Sequence, residues 1–375
     1  MIRLIVFTVC CYVSLTACKK LPCESEMPRL TTVFKDDTFQ LTGVAISPQG
    51  RLFTNYPLWS DVYKYAVVEV GGKLSDLKTG EDQLMAKAPY PNLYMNSWQP
   101  GDDGKDKWVC VQAVVTDEDN HLWAVDPASP KMAGVYQNSH KLAKINLDNN
   151  TIEKMYFFDG VADAQSYLND VRVDGQRQYA YLTNSSEGGI VVVNLATGAM
   201  RQVLQDHYST KSDPNFKFII DGQELMKNGQ PVKINSDGIA LTPDGDWLYY
   251  KPLTDDKLYR IRTEYLRNES MSSAQLGSQV EDLGHFAPTD GMIFDHKGNL
   301  YIGDMRKYSI LRITPDLKME TLIVDAEHLI WPDSYSISKD GWLYISCSQI
   351  QKQPEYNEGV NKRTEPYAIY KLKIE

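Results

Sequence analysis

The chain has 375 residues, of which 42% are hydrophobic, and it carries 23 Tyr, 7 Trp, 10 Phe and a formal net charge of −10. No cluster of Lys or Arg stands out, so nucleic acid and anionic membrane surfaces are poor candidates for partners. No phosphate-binding glycine loop, serine-hydrolase elbow or zinc-type spacing is present, so no nucleotide or organic cofactor is implied.

The first eighteen residues have the pattern of an export signal. A short basic start, MIR, precedes the apolar run LIVFTVCCYVSL, which is too short for an ordinary transmembrane helix. The LTAC sequence at 15–18 resembles the bacterial lipobox, in which the cysteine becomes the lipidated first residue. We therefore expect a lipoprotein signal peptide over 1–17, lipidation of Cys18, a tether over 18–28 and a folded domain over 29–375. A plain signal peptide cleaved near Ala17 is the alternative.

This interpretation predicts an exported lipoprotein of the bacterial cell envelope that contacts the membrane only through its lipid. Lys19 follows the lipidated cysteine. It does not resemble the aspartate that retains enterobacterial lipoproteins at the inner membrane, so an outer-membrane anchor is favoured.

Six copies of one pattern fill most of the remaining chain. The clearest, SDGIALTPDGDWLYY at 236–250, has two apolar runs joined by a turn in which Pro243 presets φ and Gly245 accepts a positive φ. It predicts a β-hairpin. The other copies occupy 42–55, 112–126, 169–184, 289–304 and 332–346.

A third alternating segment follows each copy, and a fourth follows most of them. Four strands per unit and six units predict an all-β, six-bladed β-propeller. The last copy has only three strands, whereas the segment RLTTVFKD at 29–36 precedes the first. Because an open ring leaves an exposed edge strand, we expect this N-terminal segment to complete the last blade.

One position recurs at the start of the first strand of each blade, where that strand meets the mouth of the central channel. All six side chains there carry oxygen: Thr42, Gln112, Asn169, Asp237, Asp290 and Asp333. Three like charges at a narrow mouth repel one another unless a cation or protons neutralise them. Such oxygens suit Ca²⁺ or Mg²⁺, with Asn169, Asp237, Asp290 and Asp333 as ligands. Capping of backbone N–H groups and direct contact with an organic ligand are the alternatives.

Long loops rich in aromatic residues follow the first copy. The aromatic residues that can form a rim around a flat, cationic or sugar-like ligand are Tyr56, Trp59, Tyr94, Trp98 and Trp331. Packing of the loops against the ring is the alternative. The candidate ligand-binding residues are four of these aromatic residues, Tyr56, Trp59, Trp98 and Trp331, together with Gln112 and Asn169.

The stretches YLNDVRVD, AYLTNSSEGGIVVVNL and SDGIALTPDGDWLYYKPLTDDKLYRIRTEYLRN resemble the major royal jelly/yellow protein family. The stretch TDGMIFDHKGNLYIGD is also similar to the gluconolactonase-like propellers. The resemblance implies a ligand pocket at one end of the channel, with biogenic amines, dopachrome-type isomerisation or metal-dependent lactone hydrolysis among the family chemistries. In the lactonase pattern Asp290 matches a metal ligand and general base, and Asn169 matches a substrate-side asparagine. Thr42 stands where those enzymes carry a glutamate, which puts lactonase chemistry in doubt.

Two main function classes follow from these features, and a protein–protein scaffold displayed on the envelope is a third. The first is an envelope protein that binds a small aromatic, amine or sugar-like molecule, with or without a divalent cation. The second is a metal-dependent lactone hydrolase or a yellow-type isomerase, with Asp290 as the catalytic residue. The departure at Thr42 favours binding.

Overall fold

A computed structural model describes residues 29–71 and 87–374 and shows six antiparallel four-stranded sheets. The first strands of neighbouring sheets contact one another in sequence, and the sixth sheet contacts the first. This closed ring is the predicted six-bladed β-propeller, and the fold prediction is confirmed. Among the described residues, no helix has the length and apolar character needed to cross a bilayer.

The strands occur in chain order, and each blade runs from the channel outwards. The N-terminal strand is β1 (Thr31–Asp36). Blade one contains β2 (Val44–Ile46), β3 (Leu52–Asn55), β4 (Val67–Val70) and β5 (Lys87–Pro89). Blade two contains β6 (Ala113–Thr116), β7 (His121–Asp126), β8 (Lys141–Asn146) and β9 (Thr151–Phe157). Blade three contains β10 (Leu168–Asp174), β11 (Tyr179–Asn184), β12 (Ile190–Asn194) and β13 (Met200–Val203).

An insertion between blades three and four forms two small ribbons. Its strands are β14 (Ile219–Ile220), β15 (Gln223–Glu224), β16 (Met226–Lys227) and β17 (Gln230–Pro231). Blade four contains β18 (Ser236–Leu241), β19 (Trp247–Pro252), β20 (Lys257–Arg262) and β21 (Glu281–His285). Blade five contains β22 (Met292–Phe294), β23 (Leu300–Asp304), β24 (Ser309–Ile313) and β25 (Met319–Val324). Blade six contains β26 (Pro332–Ile337), β27 (Trp342–Cys347) and β28 (Tyr367–Lys373).

Within the described part of the chain, helical structure is confined to short segments in connections. Two α-helices lie in blade four, α1 (Thr263–Arg267) and α2 (Ser273–Gly277). The 3₁₀ turns of the described residues span Pro130–Met132, Tyr208–Thr210, Ile350–Lys352 and Pro354–Tyr356.

The N-terminal strand closes the ring. Strand β1 pairs antiparallel with β28, so the outer position of blade six is filled from the other end of the chain. Phe34 of β1 is fully buried in a cluster with Leu41 and Val44 of blade one and Ile369 of blade six. The closure predicted from the three-stranded last copy is confirmed.

The core consists of apolar layers between adjacent blades. One cluster joins Phe53 and Val67 of blade one to Val114 and Leu122 of blade two, all of them fully or almost fully buried. Successive side chains of a strand point to opposite faces of its sheet, and each face packs against a neighbouring blade. Both faces of a blade are therefore apolar.

The channel-mouth residues are held by contacts between blades. Thr183 Oγ1 of blade three donates to the Asp237 carbonyl at 2.7 Å, and Gly291 N of blade five donates to the Asp333 carbonyl at 2.7 Å. A Cβ on Gly238 would lie 2.4 Å from the Asp290 carbonyl oxygen. The glycine after the acid is therefore required by the close approach of the neighbouring backbone.

The first strands are irregular where these residues lie. Strand register shifts between Leu168 and Val171 in blade three, and equivalent shifts span Ser236–Ile239 and Pro332–Tyr335. Asn169, Asp237 and Asp333 fall inside these bulges. A bulge releases a residue from the regular ladder and turns its side chain, which directs polar groups to the mouth instead of the core.

Candidate functional site

A cavity of about 500 Å³ opens at one mouth of the channel. Four of the six predicted mouth residues lie on its wall: Gln112, Asn169, Asp237 and Asp290. Two of the predicted aromatic residues, Trp59 and Trp331, also line it. The alignment of the six sequence copies therefore identified four residues that line this cavity.

Asp237 and Asp290 form a carboxyl pair in this cavity. Each is less than 10% exposed, and their side chains hydrogen-bond to each other. Burial raises the pKa of Asp290 to about 6, and burial together with the Asp290 charge raises the pKa of Asp237 well above its usual range. The raised pKa values therefore favour a pair that shares one proton and carries one negative charge near neutral pH.

Asp333 interacts electrostatically with Asp290 but does not line the cavity. It is 3% exposed, and its pKa is raised well above the usual range by burial and by the Asp290 charge. Its Oδ2 accepts no hydrogen bond within the described part of the chain. Burial and repulsion from Asp290 therefore favour the protonated forms of Asp237 and Asp333.

One buried cation lies near the acids. Lys251 is 1% exposed, and its Nζ donates to the carbonyl oxygens of Pro252 and Asp255 at 2.5 and 2.8 Å. Burial lowers the pKa of Lys251 to about 8, and its charge lowers the pKa of Asp290. Lys251 therefore stabilises the ionised form of Asp290 through its charge, while its Nζ donates these hydrogen bonds to backbone carbonyl oxygens.

Trp331 binds Asp290 directly. Its indole Nε1 donates to Asp290 Oδ2 at 2.7 Å, and the bond favours the ionised form of that carboxyl. Trp331 adopts a left-handed backbone conformation with φ of 59°, which is uncommon for a bulky side chain. The side chain is 1% exposed and packs against Phe218 of the insertion.

A chain of hydrogen bonds joins Trp59, Tyr167 and Gln112 on the cavity wall. Trp59 Nε1 donates to Tyr167 Oη at 2.9 Å, and Tyr167 Oη donates to Gln112 Oε1 at 2.8 Å. Burial raises the pKa of Tyr167 well above its usual range, so this hydroxyl stays neutral. Tyr167 was not among the predicted site residues, although it directly precedes the strand that carries Asn169.

The insertion between blades three and four supplies the outer wall. Its residues Lys227, Asn228, Val232 and Ile234 line the cavity, as does Tyr356 from the loop that follows β27. The sequence analysis did not identify this wall. The signal was present in KNGQ at 227–230, because Asn-Gly between short strands is typical of a two-residue hairpin.

The remaining predicted ligand-binding residues lie outside the cavity. Tyr56 is 2% exposed and donates its hydroxyl to Asp36 Oδ2 at 2.7 Å, next to the closing strand. Trp98 is 5% exposed and packs edge-on against Tyr136. Both therefore pack long loops against the ring, the alternative stated for the aromatic residues.

Thr42 acts as a cap. Its Oγ1 donates to the Gln112 carbonyl at 2.9 Å and accepts from Asn55 Nδ2 at 2.8 Å. The hydroxyl joins blades one and two and does not line the cavity. Cys18 and the expected signal peptide and tether lie outside the described residues.

The fit to a divalent cation is limited in this arrangement. Within residues 29–71 and 87–374, no group of three or more His, Cys, Asp or Glu side chains is placed to hold a metal ion. Asp237 and Asp290 face each other, and Trp331 occupies one Asp290 oxygen. The expectation of Ca²⁺ or Mg²⁺ stays a prediction.

A profile of major royal jelly proteins matches residues 109–373, more than two thirds of the chain. The chain belongs to the major royal jelly protein family. The matched region includes Asn169, Asp237, Asp290 and Trp331, and it excludes Trp59. No curated protein sequence matches the chain significantly.

Solved structures share the fold at low sequence identity. A luciferin-regenerating enzyme superposes with a TM-score of 0.54 at 11% identity, covering 92% of this chain and 95% of that one. A gluconolactonase from Xanthomonas campestris gives 0.51 at 12% identity, covering 92% and 89%. A PQQ-bound aldose sugar dehydrogenase from Streptomyces coelicolor gives 0.52 at 11% identity, covering 92% and 98%. At such identities the likeness establishes the propeller and leaves the chemistry to the site.

Proposed function

We propose that this protein binds a small organic amine in the channel-mouth cavity. The observation that carries the proposal is the Asp237–Asp290 pair, which offers one buried negative charge to a cavity with aromatic walls. An ammonium group can replace the shared proton and hydrogen-bond to both carboxyl groups. Such a charge-assisted bond is strong where water is excluded.

The walls suit a flat ligand body. Trp59, Tyr167, Trp331 and Tyr356 all contribute surface to the cavity. Aromatic rings contact flat ligands with large area at low entropic cost, and their faces attract cations. Gln112 and Asn169 add neutral polar groups that can fix the orientation of the ligand.

The test compares benzylamine with benzyl alcohol, which has nearly the same shape and no charge. Titration calorimetry at pH 7.5 should detect benzylamine and show at least about tenfold weaker binding of the alcohol. Asp290→Asn should remove this preference. Asp256→Asn, which changes an acid outside the cavity wall, is the control and should keep it. Equal binding of both probes to the wild type would instead support a neutral, sugar-like ligand.

A metal-dependent hydrolase is the second candidate, and one observation favours it. The pKa of Asp290, raised to about 6, is in the range of a general base that works near neutral pH. Ca²⁺ or Mg²⁺ would supply the charge that polarises a lactone carbonyl, and Asp237, Asp290 and Asn169 are the cavity residues that would hold it. Thr42, which serves as a cap, supplies no carboxylate there. Lactone hydrolysis that depends on added Ca²⁺ or Mg²⁺ and is lost in Asp290→Asn would support this candidate.

The expected envelope location fits a ligand-binding role. A lipid on Cys18 would hold the propeller at the membrane surface, in contact with molecules outside the cytoplasm. We retain outer-membrane anchoring as part of the proposal.

A further inference from the structure

Two lysines line the cavity, and they differ in how their charges are satisfied. Lys233 Nζ donates to the carbonyl oxygens of Asp213, Pro214 and Phe216 at 2.8 to 3.2 Å. Among the described residues, the partners of Lys227 Nζ are the Met132 sulfur at 3.4 Å and the Tyr356 ring, whose centroid lies 5.4 Å away. Sulfur is a weak acceptor, so Lys227 keeps most of its donor capacity.

The insertion fixes the position of Lys227. Strands β16 and β17 form a hairpin in which Lys227 pairs with Gln230, and Asn228 and Gly229 have φ of 50° and 76°. Two positive φ values are typical of a type I′ turn. Asn228 N donates to the Glu355 carbonyl at 2.7 Å, which fastens the turn to the loop after β27.

No carboxylate neutralises this ammonium within residues 29–71 and 87–374, where none lies within 4.0 Å of Lys227 Nζ. Burial lowers the pKa of Lys227, and the charge of Glu355 raises it by less. The acids of the cavity wall are Asp237 and Asp290, and they belong to the inner strands of the ring. The cavity wall thus carries an anionic carboxyl pair on the inner strands of the ring. On the insertion it carries the ammonium group of Lys227, which has no carboxylate partner among the described residues.

We propose that Lys227 forms an anion subsite and that the ligand is zwitterionic, with a carboxylate at Lys227 and a basic nitrogen at the acid pair. A flat body would lie between the two charges against the aromatic walls. The amine end rests on the function proposed above, whereas the carboxylate end rests on Lys227 alone. The two ends can therefore be tested separately.

The test uses three probes with one ring: benzylamine, benzoate and 4-(aminomethyl)benzoate. The affinity of the wild type for the zwitterion should exceed that for benzylamine by about tenfold or more. The carboxylate can accept a charge-assisted hydrogen bond from Lys227, which benzylamine cannot accept. Lys227→Met should abolish this gain, so that 4-(aminomethyl)benzoate and benzylamine bind the variant with equal affinity. Lys217→Met, an exposed lysine of the same insertion that does not line the cavity, is the matched control.

The outcomes separate the two proposals. Binding of benzylamine with no gain from the carboxylate, or a gain that survives Lys227→Met, overturns the anion subsite and leaves the amine function. Binding of benzoate that depends on Lys227, without benzylamine binding, supports the subsite and overturns the amine function. Failure of all three probes to bind at millimolar concentration overturns both.

A charge reversal provides a gain-of-function check. In Lys227→Glu, the cavity would carry a negative charge at both ends. The variant should prefer p-xylylenediamine to 4-(aminomethyl)benzoate, the reverse of the wild-type order. An unchanged order would show that Lys227 does not contact the ligand.

Discussion

The indole of Trp331 donates a hydrogen bond to the buried carboxylate of Asp290, and the two residues come from different blades of the ring. Trp331 immediately precedes the first strand of blade six, and Asp290 precedes that of blade five. The bond thus couples the aromatic wall of the cavity to the protonation state of its acid pair.

Trp331→Phe should shift the pH dependence of amine binding upwards. The indole hydrogen bond lowers the pKa of Asp290, so its loss should raise that pKa above about 6. Because the amine needs an ionised Asp290, binding of benzylamine should then be lost at a higher pH as the solution is acidified. Trp123→Phe removes a comparable bond to Asp117 outside the cavity and should not shift the profile. Identical profiles for all three proteins would contradict the coupling.

Asp290→Asn should stabilise the ligand-free protein at neutral pH. The folded pKa of Asp290 exceeds the unfolded value, so the folded state binds more protons and its stability falls as pH rises from about 4 to about 6. The variant lacks this loss and should gain about 1 to 3 kcal/mol at pH 7, with no gain below pH 4. Denaturant melts at both pH values measure the difference. A variant destabilised equally at both values would mean that the Asp290 carboxylate is a structural cap.

Divalent cations provide a separate test of the acid cluster. If Ca²⁺ or Mg²⁺ binds Asp237 and Asp290 with Asn169, adding it after chelation should stabilise the wild type. The gain is about 2.7 kcal/mol at a hundredfold excess over the dissociation constant. Asp290→Asn should remove most of the rise in melting temperature. No shift in the chelated wild type would eliminate the metal site.

Removal of the closing strand should open the ring. A chain lacking residues 29–36 exposes the edge of β28, so aggregation or a large loss of thermal stability is expected. Phe34→Ala tests the same strand without deleting it. It should lower the free energy of unfolding by about 3 to 5 kcal/mol, because the phenyl side chain is fully buried. A truncated protein that stays monomeric and melts at the parent temperature would refute the closure.

Cys18→Ser should abolish lipidation and release the protein from membranes in its native host. Cys23→Ser changes the next cysteine of the same segment and should leave the protein membrane-bound. Fractionation of both variants with and without detergent measures the difference. A Cys18→Ser variant that still sediments with membranes would show that the LTAC segment is not a lipobox.

The repeat pattern alone determined the ring, the number of blades and the closing strand. Each copy encodes its own hairpin through local turn chemistry, as in TPDGDW at 242–247. Because strand and turn patterns depend on neighbouring residues, they can be recognised in the sequence before the fold is known. Alignment of the copies also placed Gln112, Asn169, Asp237 and Asp290 together, because equivalent positions in a ring converge at its axis.

Tertiary structure decided which residues form the cavity wall. Trp98 and Trp59 are both aromatic loop residues, but only Trp59 faces the cavity, since the paths of the loops and not their composition direct the rings. Lys227 and Tyr356 meet across more than a hundred residues of sequence, so no local pattern joins them. The raised pKa values of Asp237 and Asp333 likewise depend on burial and on charges from neighbouring blades, which come together only once the ring has closed.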